Sequence, residues 1–381
     1  MRTILFVAKG IDTGGILSAI TPIVNQAIEM GFRVDFLNIG SIPEKVRNRW
    51  PQNINWIELP QPTRLQRVIA ILKSGMFFEK MRTMANHDRK AAKLGQKIDQ
   101  QLCKMMADYP SQYDVAFATG EFLPVYYVAT KVTAQKKLAE LHPRWDLLQL
   151  DEHSEVPFLQ EMDQILSIST DCKKALAAAY PQFAQRLTVL EYACDTETIK
   201  KWAEEHPATE VQGSGYRIVS VCRLDNRSKR IDRMVRTAKI LTYRNFSFHW
   251  TIVGGGPDRK SIESAIHKAG VQQNFTLVGN QDNPYPYIKN AQLFVLTSQY
   301  EGMPIVVTEA AVLQIPMVLT ECVDWPDAIR NRATIVPNRD DVVCEELANA
   351  IVKSFEQERV GEPYIFDSSV QREEMERLLG A

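Results

Sequence analysis

Short apolar runs recur along this chain, and most are followed by a longer stretch with helical periodicity. ILFVA precedes a helix over 16–30. VDFLNI and INWIEL precede a long helical region over 63–106. DVAFAT precedes a helix over 123–133, and KLAEL, QILSIS, a helix over 171–180 and LTVLEY complete the series. Strands that are apolar on both faces belong to a parallel sheet covered on both sides, whose crossovers are helices. The polar stretch 196–215, with KKWAEEHP and then EVQGSG, reads as a linker. A second series follows it: RIVSVCRL, a helix over 231–241, FHWTIVGGG, a helix over 257–269, NFTLVG, LFVLTS and PMVLT. The expected class is α/β, with doubly wound Rossmann-like domains over 1–195 and 216–363 joined by that linker. In such sheets ligands bind beyond the carboxyl ends of the strands, so two domains facing each other would make one cleft.

The chain has 381 residues, enough for two cores, and its 45 Lys and Arg against 46 Asp and Glu leave a formal net charge of −1. That balance argues against a dedicated nucleic-acid binder. Six scattered cysteines without a CxxC read as reduced thiols, which points to the cytoplasm. MRTILFVAKG reads as a first strand rather than a leader, because its apolar run is too short and lacks a small-residue cleavage site. No run of about 18 apolar residues suggests a membrane span.

EGMPIVVTEAAVLQIPMVLT, residues 301–320, carries two glutamates in an apolar stretch where charge is expensive. Gly302 and Pro304 argue against one continuous helix through it. LFVLTS then ends as a strand, QYEGM forms a loop, and Pro304 takes the first helical position. Glu301 would lie just before a helix N-terminus, Glu309 about a turn and a half inside, and the N–H groups of Met303 to Val306 would favour an anion. Such a site suits a ligand that is part hydroxyl-rich and part phosphate. Taken alone, the segment is equally well read with Glu301 complementing the helix dipole and Glu309 solvated.

Other strand ends offer weaker signals. Gly14 and Gly15 open a helix after the first strand without forming a GxGxxG, and Gly254 to Gly256 precede another helix; each is also what a plain turn requires. Arg223 and Lys229, in VCRLDNRSKR, could neutralise a diphosphate or stand as solvated cations. No DxD triplet lies in a strand-end loop, which fits donor binding without a metal.

The order of these signals resembles that of the glycosyltransferases of family 4, retaining enzymes of GT-B fold that use nucleotide sugars. Gly14-Gly15, VCRLDNRSKR, TIVGGGP, FTLVG and above all EGMPIVVTEA carry the resemblance. The middle section, LAELHPRWDL to YACDTETI, resembles bacterial members that build capsular or surface polysaccharide. The resemblance implies that Glu309 holds the ribose hydroxyls, that Arg223 and Lys229 hold the diphosphate, and that Gly15 and Gly254 approach the donor. Backbone at Gly302, Met303, Pro304 and Ile305 would face the phosphate and sugar, with Val278 beside the base. Glu301, on hydroxyls of the transferred sugar, and His142, which follows KLAEL, are the implied catalytic residues. No metal and no separate cofactor is implied; the donor, a UDP-sugar above others, is the substrate, and a glycan or lipid-linked saccharide the acceptor. The family usually has Lys-Gly where this chain has Lys229-Arg230. It also implies that a last helix, about 364–381, returns to the first domain. With no carboxylate placed as nucleophile, front-face substitution is the implied route to retention.

Within 71–104, Phe77, Met81 and Met84 share helical spacing, and Arg82, Arg89, Lys93, Lys97 and Lys104 would share another face. That pattern reads as a basic amphipathic element on an anionic membrane, at the inner face of the cell membrane, or as a core-facing stripe with a solvated back. Two rival functions remain at this level: a nucleotide-sugar epimerase of the same fold, and a catalytically silent partner of another transferase.

Overall fold

The structure, a computed structural model, describes residues 1–11, 15–51, 53–75, 90–148, 150–192, 194–205, 214–356, 364 and 368–380. The chain divides into two compact units, one of Met1–Ala193 with Ser368–Ala381, the other of Cys194–Asp367.

The first unit holds a seven-stranded parallel sheet in the order β3-β2-β1-β4-β5-β6-β7. Its strands are β1 (Thr3–Lys9), β2 (Arg33–Ile39), β3 (Asn55–Leu59), β4 (Gln112–Thr119), β5 (Thr133–Leu141), β6 (Gln164–Ser167) and β7 (Leu187–Val189). Successive side chains of a strand leave on opposite faces, and β1 shows the result. Leu5 and Val7 join an apolar cluster with Tyr126 and Trp145, whereas Ile4, Phe6 and Ala8 join another with Ile20, Val24 and Phe36. A run apolar at every position is therefore what a sheet with two covered faces demands.

The second unit repeats the plan with six parallel strands, ordered β10-β9-β8-β11-β12-β13. They are β8 (Tyr216–Val221), β9 (Phe248–Val253), β10 (Phe275–Gly279), β11 (Leu293–Leu296), β12 (Met317–Thr320) and β13 (Ala333–Val336). In each sheet the order reverses at one place, between β1 and β4 in the first and between β8 and β11 in the second. Connections leave these neighbours in opposite directions and open a crevice at their carboxyl ends.

Two segments differ from the sequence reading. Residues 196–205, read as the start of a linker, form the helix Thr196–Glu205, which buries Ile199 and Ala203 against Tyr285, Tyr287 and Ile288 of the second unit. Residues 206–213 lie outside the described residues. The long helical region over 63–106 contains two separate described helices, Arg64–Lys73 and Lys90–Lys104. Phe77, Met81, Arg82, Met84 and Arg89 lie outside the described residues. The described end of that segment turns Leu94, Leu102 and Cys103 into the protein interior and pairs Lys97 with Asp151, so its stripe there is a core stripe.

The helix Ser369–Leu379 packs in the first unit, with Met375, Leu378 and Leu379 in the same apolar cluster as Ile20 and Ile23. Gln26 Nε2 donates to Gln371 Oε1 at 2.6 Å, and Lys136 Nζ donates to the Leu378 carbonyl at 2.5 Å. Among the described residues no helix is long and apolar enough to cross a membrane.

Candidate active site

At the reversal point of the second sheet, the loop after β8 and the loop after β11 are stitched together. Thr297 Oγ1 donates to the carbonyls of Lys229 and Arg230 at 2.9 and 3.1 Å, and the Gln299 N–H donates to the Ser228 carbonyl at 2.7 Å. That stitching places Lys229 beside Glu301, 72 positions later in the chain, with Nζ 2.5 Å from Oε1. Ser298 Oγ donates to the same oxygen at 2.5 Å. Both charged side chains are largely buried, Lys229 being 19% and Glu301 11% exposed, which concentrates the field of the pair. The sequence reading assigned the two to different ligand groups and missed both their pairing and Ser298.

Glu309 lies on the helix Ile305–Val312 and is only 4% exposed. Pro304 caps that helix instead of beginning it. Tyr285 donates its hydroxyl to Glu309 Oε1 at 3.0 Å, and its ring stacks on Trp202 with centroids 6.2 Å apart. A carboxylate buried this deeply needs such a donor. The reading of Glu309 as merely solvated is thereby overturned. Helix geometry leaves the N–H groups of the first turn, at Ile305 and Val306, without intrahelical acceptors. Gly302 and Met303 lead into that turn.

Arg223 pairs with Asp225 at 3.0 Å and is 66% exposed, so its partner differs from that of Lys229. Gly254, at φ +137°, is occupied by loop packing: a Cβ there would stand 2.0 Å from the Cys222 carbonyl oxygen. Gly256 is held likewise, 2.3 Å from the Leu224 oxygen. These glycines let the loops after β8 and β9 pack closely, as the Leu224 N–H to Gly255 carbonyl bond of 2.9 Å shows. Val278 is half-buried on β10. In the first unit Gly15 is the first residue of the helix Gly15–Glu29, and Gly14 lies outside the described residues.

Arg230, in place of the expected glycine, has φ 52° and ψ 50°, the left-handed conformation. Its guanidinium is anchored to Asp232 at 2.9 Å, Gln299 at 2.8 Å and Asp340 at 3.0 Å. The loop thus keeps a glycine-like turn before the helix Ile231–Tyr243 without glycine. Arg233, fully buried, reinforces it through Asp340, Asn338 and Gln299. Burial pushes the Cys222 thiol beside this loop up to about 12, which keeps it protonated and unreactive.

In the first unit His142 follows β5 and points Nε2 at Glu140 Oε2, 3.1 Å away. Burial alone would lower the imidazole, but the charge and hydrogen bond of Glu140 and the charge of Glu121 outweigh it and hold it above its usual value. KLAEL reads as a strand, with no sign in it that Glu140 would be fully buried.

Comparison with known proteins follows the same division. Residues 215–357 match the family model for glycosyl transferases group 1. An uncharacterized glycosyltransferase of Methanocaldococcus jannaschii is 32% identical over 96 residues, 25% of this chain and 24% of that protein. The amylovoran biosynthesis glycosyltransferase of Erwinia amylovora is 28% identical over 126 residues, 31% of each chain. The lipopolysaccharide 1,6-galactosyltransferase of Salmonella typhimurium is 30% identical over 79 residues, 20% of this chain and 22% of that one. The chain therefore matches less than a third of the length of each of these relatives. Among solved structures, Anabaena HepE, in complex with UDP and glucose, aligns over 100% of both chains with a TM-score of 0.69 and 13% identity. WaaG, a glycosyltransferase involved in lipopolysaccharide biosynthesis, aligns over 100% of both chains at 0.58 and 15%. At these identities the likeness is one of fold, and it is the GT-B fold of two Rossmann-like units. The stretch similar to the glycosyl transferases group 1 model, residues 215–357, falls within the second unit.

Proposed function

We propose that this chain is a retaining glycosyltransferase of family 4 that moves a sugar from a nucleoside diphosphate, a UDP-sugar, to a glycan or lipid-linked acceptor in surface polysaccharide synthesis. The observation that carries the reading is the Lys229–Glu301–Ser298 cluster at the reversal point of the second sheet, followed one helix later by buried Glu309. Glycosyltransferase relatives and a UDP-bound neighbour of the same fold support it.

The cluster suggests how donor binding proceeds. An incoming diphosphate competes with Glu301 for the Lys229 ammonium, and Glu301, released, is free to accept from hydroxyls of the transferred sugar. Arg223 and the first-turn N–H groups after Gly302 share the phosphate charge, so the chain's own cations and dipoles do the work of neutralisation without a metal. Glu309, fixed by Tyr285, accepts from the ribose hydroxyls through its remaining capacity. Val278 lies by the base, and the roles of Gly15 and His142, in the first unit, are those that the family resemblance implies. In the transfer itself, the bond from anomeric carbon to diphosphate oxygen breaks as the acceptor oxygen attacks from the same face. The acceptor proton passes to the departing phosphate.

Contact with an anionic membrane belongs to the same proposal. Running into the basic segment 71–104, the helix Arg64–Lys73 exposes Leu65, Val68 and Leu72 on one side, with Arg64 and Lys73 flanking them and no acidic residue. Co-sedimentation with anionic vesicles at low salt tests this part; no binding removes it.

The central test is thermal stability with UDP-, GDP- and dTDP-sugars, in wild type and Glu309→Ala. At a hundredfold excess over its dissociation constant a ligand adds about 2.7 kcal/mol. Stabilisation of wild type by a UDP-sugar, lost in the variant, with an α-linked product from an α-linked donor, is the expected result. A protein that responds to no nucleotide overturns the reading, and a product of inverted configuration overturns retention.

A further inference from the structure

Glu140 is fully buried at the carboxyl end of β5. Its Oε2 meets His142 Nε2 at 3.1 Å, and its Oε1 has no hydrogen-bond partner among the described residues. A carboxyl group in that position has two ways to exist. Either it is protonated beside a neutral imidazole, or it is ionised and compensated by a cation, because an unpaired buried charge is prohibitively costly. His142 is the group placed to be that cation.

We infer that Glu140 is a positioning residue that takes the Nε2–H of His142, so that the Nδ1–H of the resulting imidazolium is offered to an anionic or hydroxyl oxygen of the substrate. His142 then acts as a charged donor and not as a base toward the acceptor hydroxyl. The inference rests on the transferase reading only for the identity of that substrate.

The surroundings favour the charged pair. Glu121, half-buried after β4, adds a second carboxylate near the ring, and the net effect of Glu140 and Glu121 holds the imidazole up against its burial. Tyr192 meets the ring edge-on, with centroids 5.9 Å apart, and its own hydroxyl is pushed well up by burial first and by Glu140 and Glu121 next, so it stays neutral. Cys172, whose Sγ contacts the His142 carbonyl at 3.7 Å, is likewise held protonated by burial. The nearby guanidinium of Arg144 is occupied by Asp146 at 2.8 Å. Gly120 lies beside the ring: a Cβ there would make ordinary contact with Cε1 at 3.8 Å and Nδ1 at 4.0 Å. The backbone is fixed too, since the Gly120 N–H donates to the Glu140 carbonyl at 3.0 Å.

The test is histidine NMR on the full chain, labelled at the imidazole carbons and nitrogens, with His142→Gln used to assign one signal among six histidines. In wild type, His142 should be doubly protonated at pH 7 and titrate above the ordinary 6.5. In Glu140→Gln, an isosteric change, its midpoint should fall by about one to three pH units. A His142 that is neutral at pH 7 in wild type, or that titrates identically in Glu140→Gln, overturns the proposal. If Glu140→Gln does not fold, the wild-type titration still decides between the two forms of the pair. The same variant should move the alkaline limb of kcat toward lower pH and recover rate when acidified; a loss of rate independent of pH would reduce Glu140 to a structural role. Because the titration needs no substrate, it can succeed or fail independently of the transferase assignment.

Discussion

Replacing Arg230 by alanine and by glycine separates what its side chain contributes from what its backbone costs. Both variants remove the same contacts, to Asp232, Gln299 and Asp340. Those partly exposed, charge-assisted bonds are worth about 1 kcal/mol together after solvent screening. The two variants differ only in how they tolerate φ 52° and ψ 50°. Alanine keeps the left-handed penalty of about 1–2 kcal/mol, which glycine escapes, while the freer unfolded chain of glycine returns about 0.5–1 kcal/mol of that advantage. Arg230→Gly should therefore be more stable than Arg230→Ala by up to about 1 kcal/mol. For a unit the size of Cys194–Asp367, that corresponds to a melting temperature roughly 2–4 °C higher. Calorimetry of the two variants side by side measures the difference, and nucleotide-induced stabilisation should persist in both, since Lys229 and Glu301 are untouched. An alanine variant more stable than the glycine variant would refute the reasoning, because the left-handed backbone would then cost less than the freedom glycine gives the unfolded chain.

Gly254→Ala should be far more disruptive, because its Cβ would fall 2.0 Å from a backbone oxygen at φ +137°; loss of more than about 2 kcal/mol by denaturant unfolding is expected, and a near-neutral result would show that the loop is free to move. Tyr285→Phe removes the hydroxyl that Glu309 accepts from, so stability should drop by about 1–3 kcal/mol and nucleotide affinity should fall; unchanged affinity would separate Tyr285 from the site. Glu155 accepts from Tyr126 and Gln96 in the first unit, and burial raises its carboxyl above the ordinary 4.5. The folded chain therefore holds a proton that the unfolded chain has lost, and stability should decline as pH rises from about 4.5 through the raised value. Glu155→Gln should flatten that part of the curve measured by denaturant titration across pH, and an unaltered slope would count against the assignment.

The strands were legible because burial on both faces writes them as unbroken apolar runs, and the helices between them because one face stays polar. The helix Thr196–Glu205 was not, since only Ile199, Trp202 and Ala203 interrupt its charged residues, and its partner lies far along the chain in Tyr285–Lys289. β13 is only four residues long and stands between Arg332 and Pro337, too short to mark a strand, and the helix Val343–Glu356 follows it. At the site, residue types and strand-end positions could be read from local pattern, but pairings could not. Lys229 meets Glu301 only because Thr297 and Gln299 tie two loops together; Glu140 and His142 are two positions apart, and what the pattern hid there is the full burial of Glu140. Gly254 looked like a ligand-binding glycine because close approach to a ligand and close approach to another loop select the same residue.

The helix Ser369–Leu379 imposes an order on synthesis. The first unit leaves the ribosome lacking the segment that brings Met375, Leu378 and Leu379 to its sheet, and that segment arrives only after the entire second unit has been translated. At about 5–20 residues per second the interval is on the order of ten seconds or more, during which the face bearing Ile20, Ile23 and Phe36 is incompletely covered. The second unit, continuous in sequence, is under no such delay and can complete its core as soon as it emerges. A nascent chain stalled before Ser369 should thus present a finished second unit beside a first unit open to proteases and chaperones.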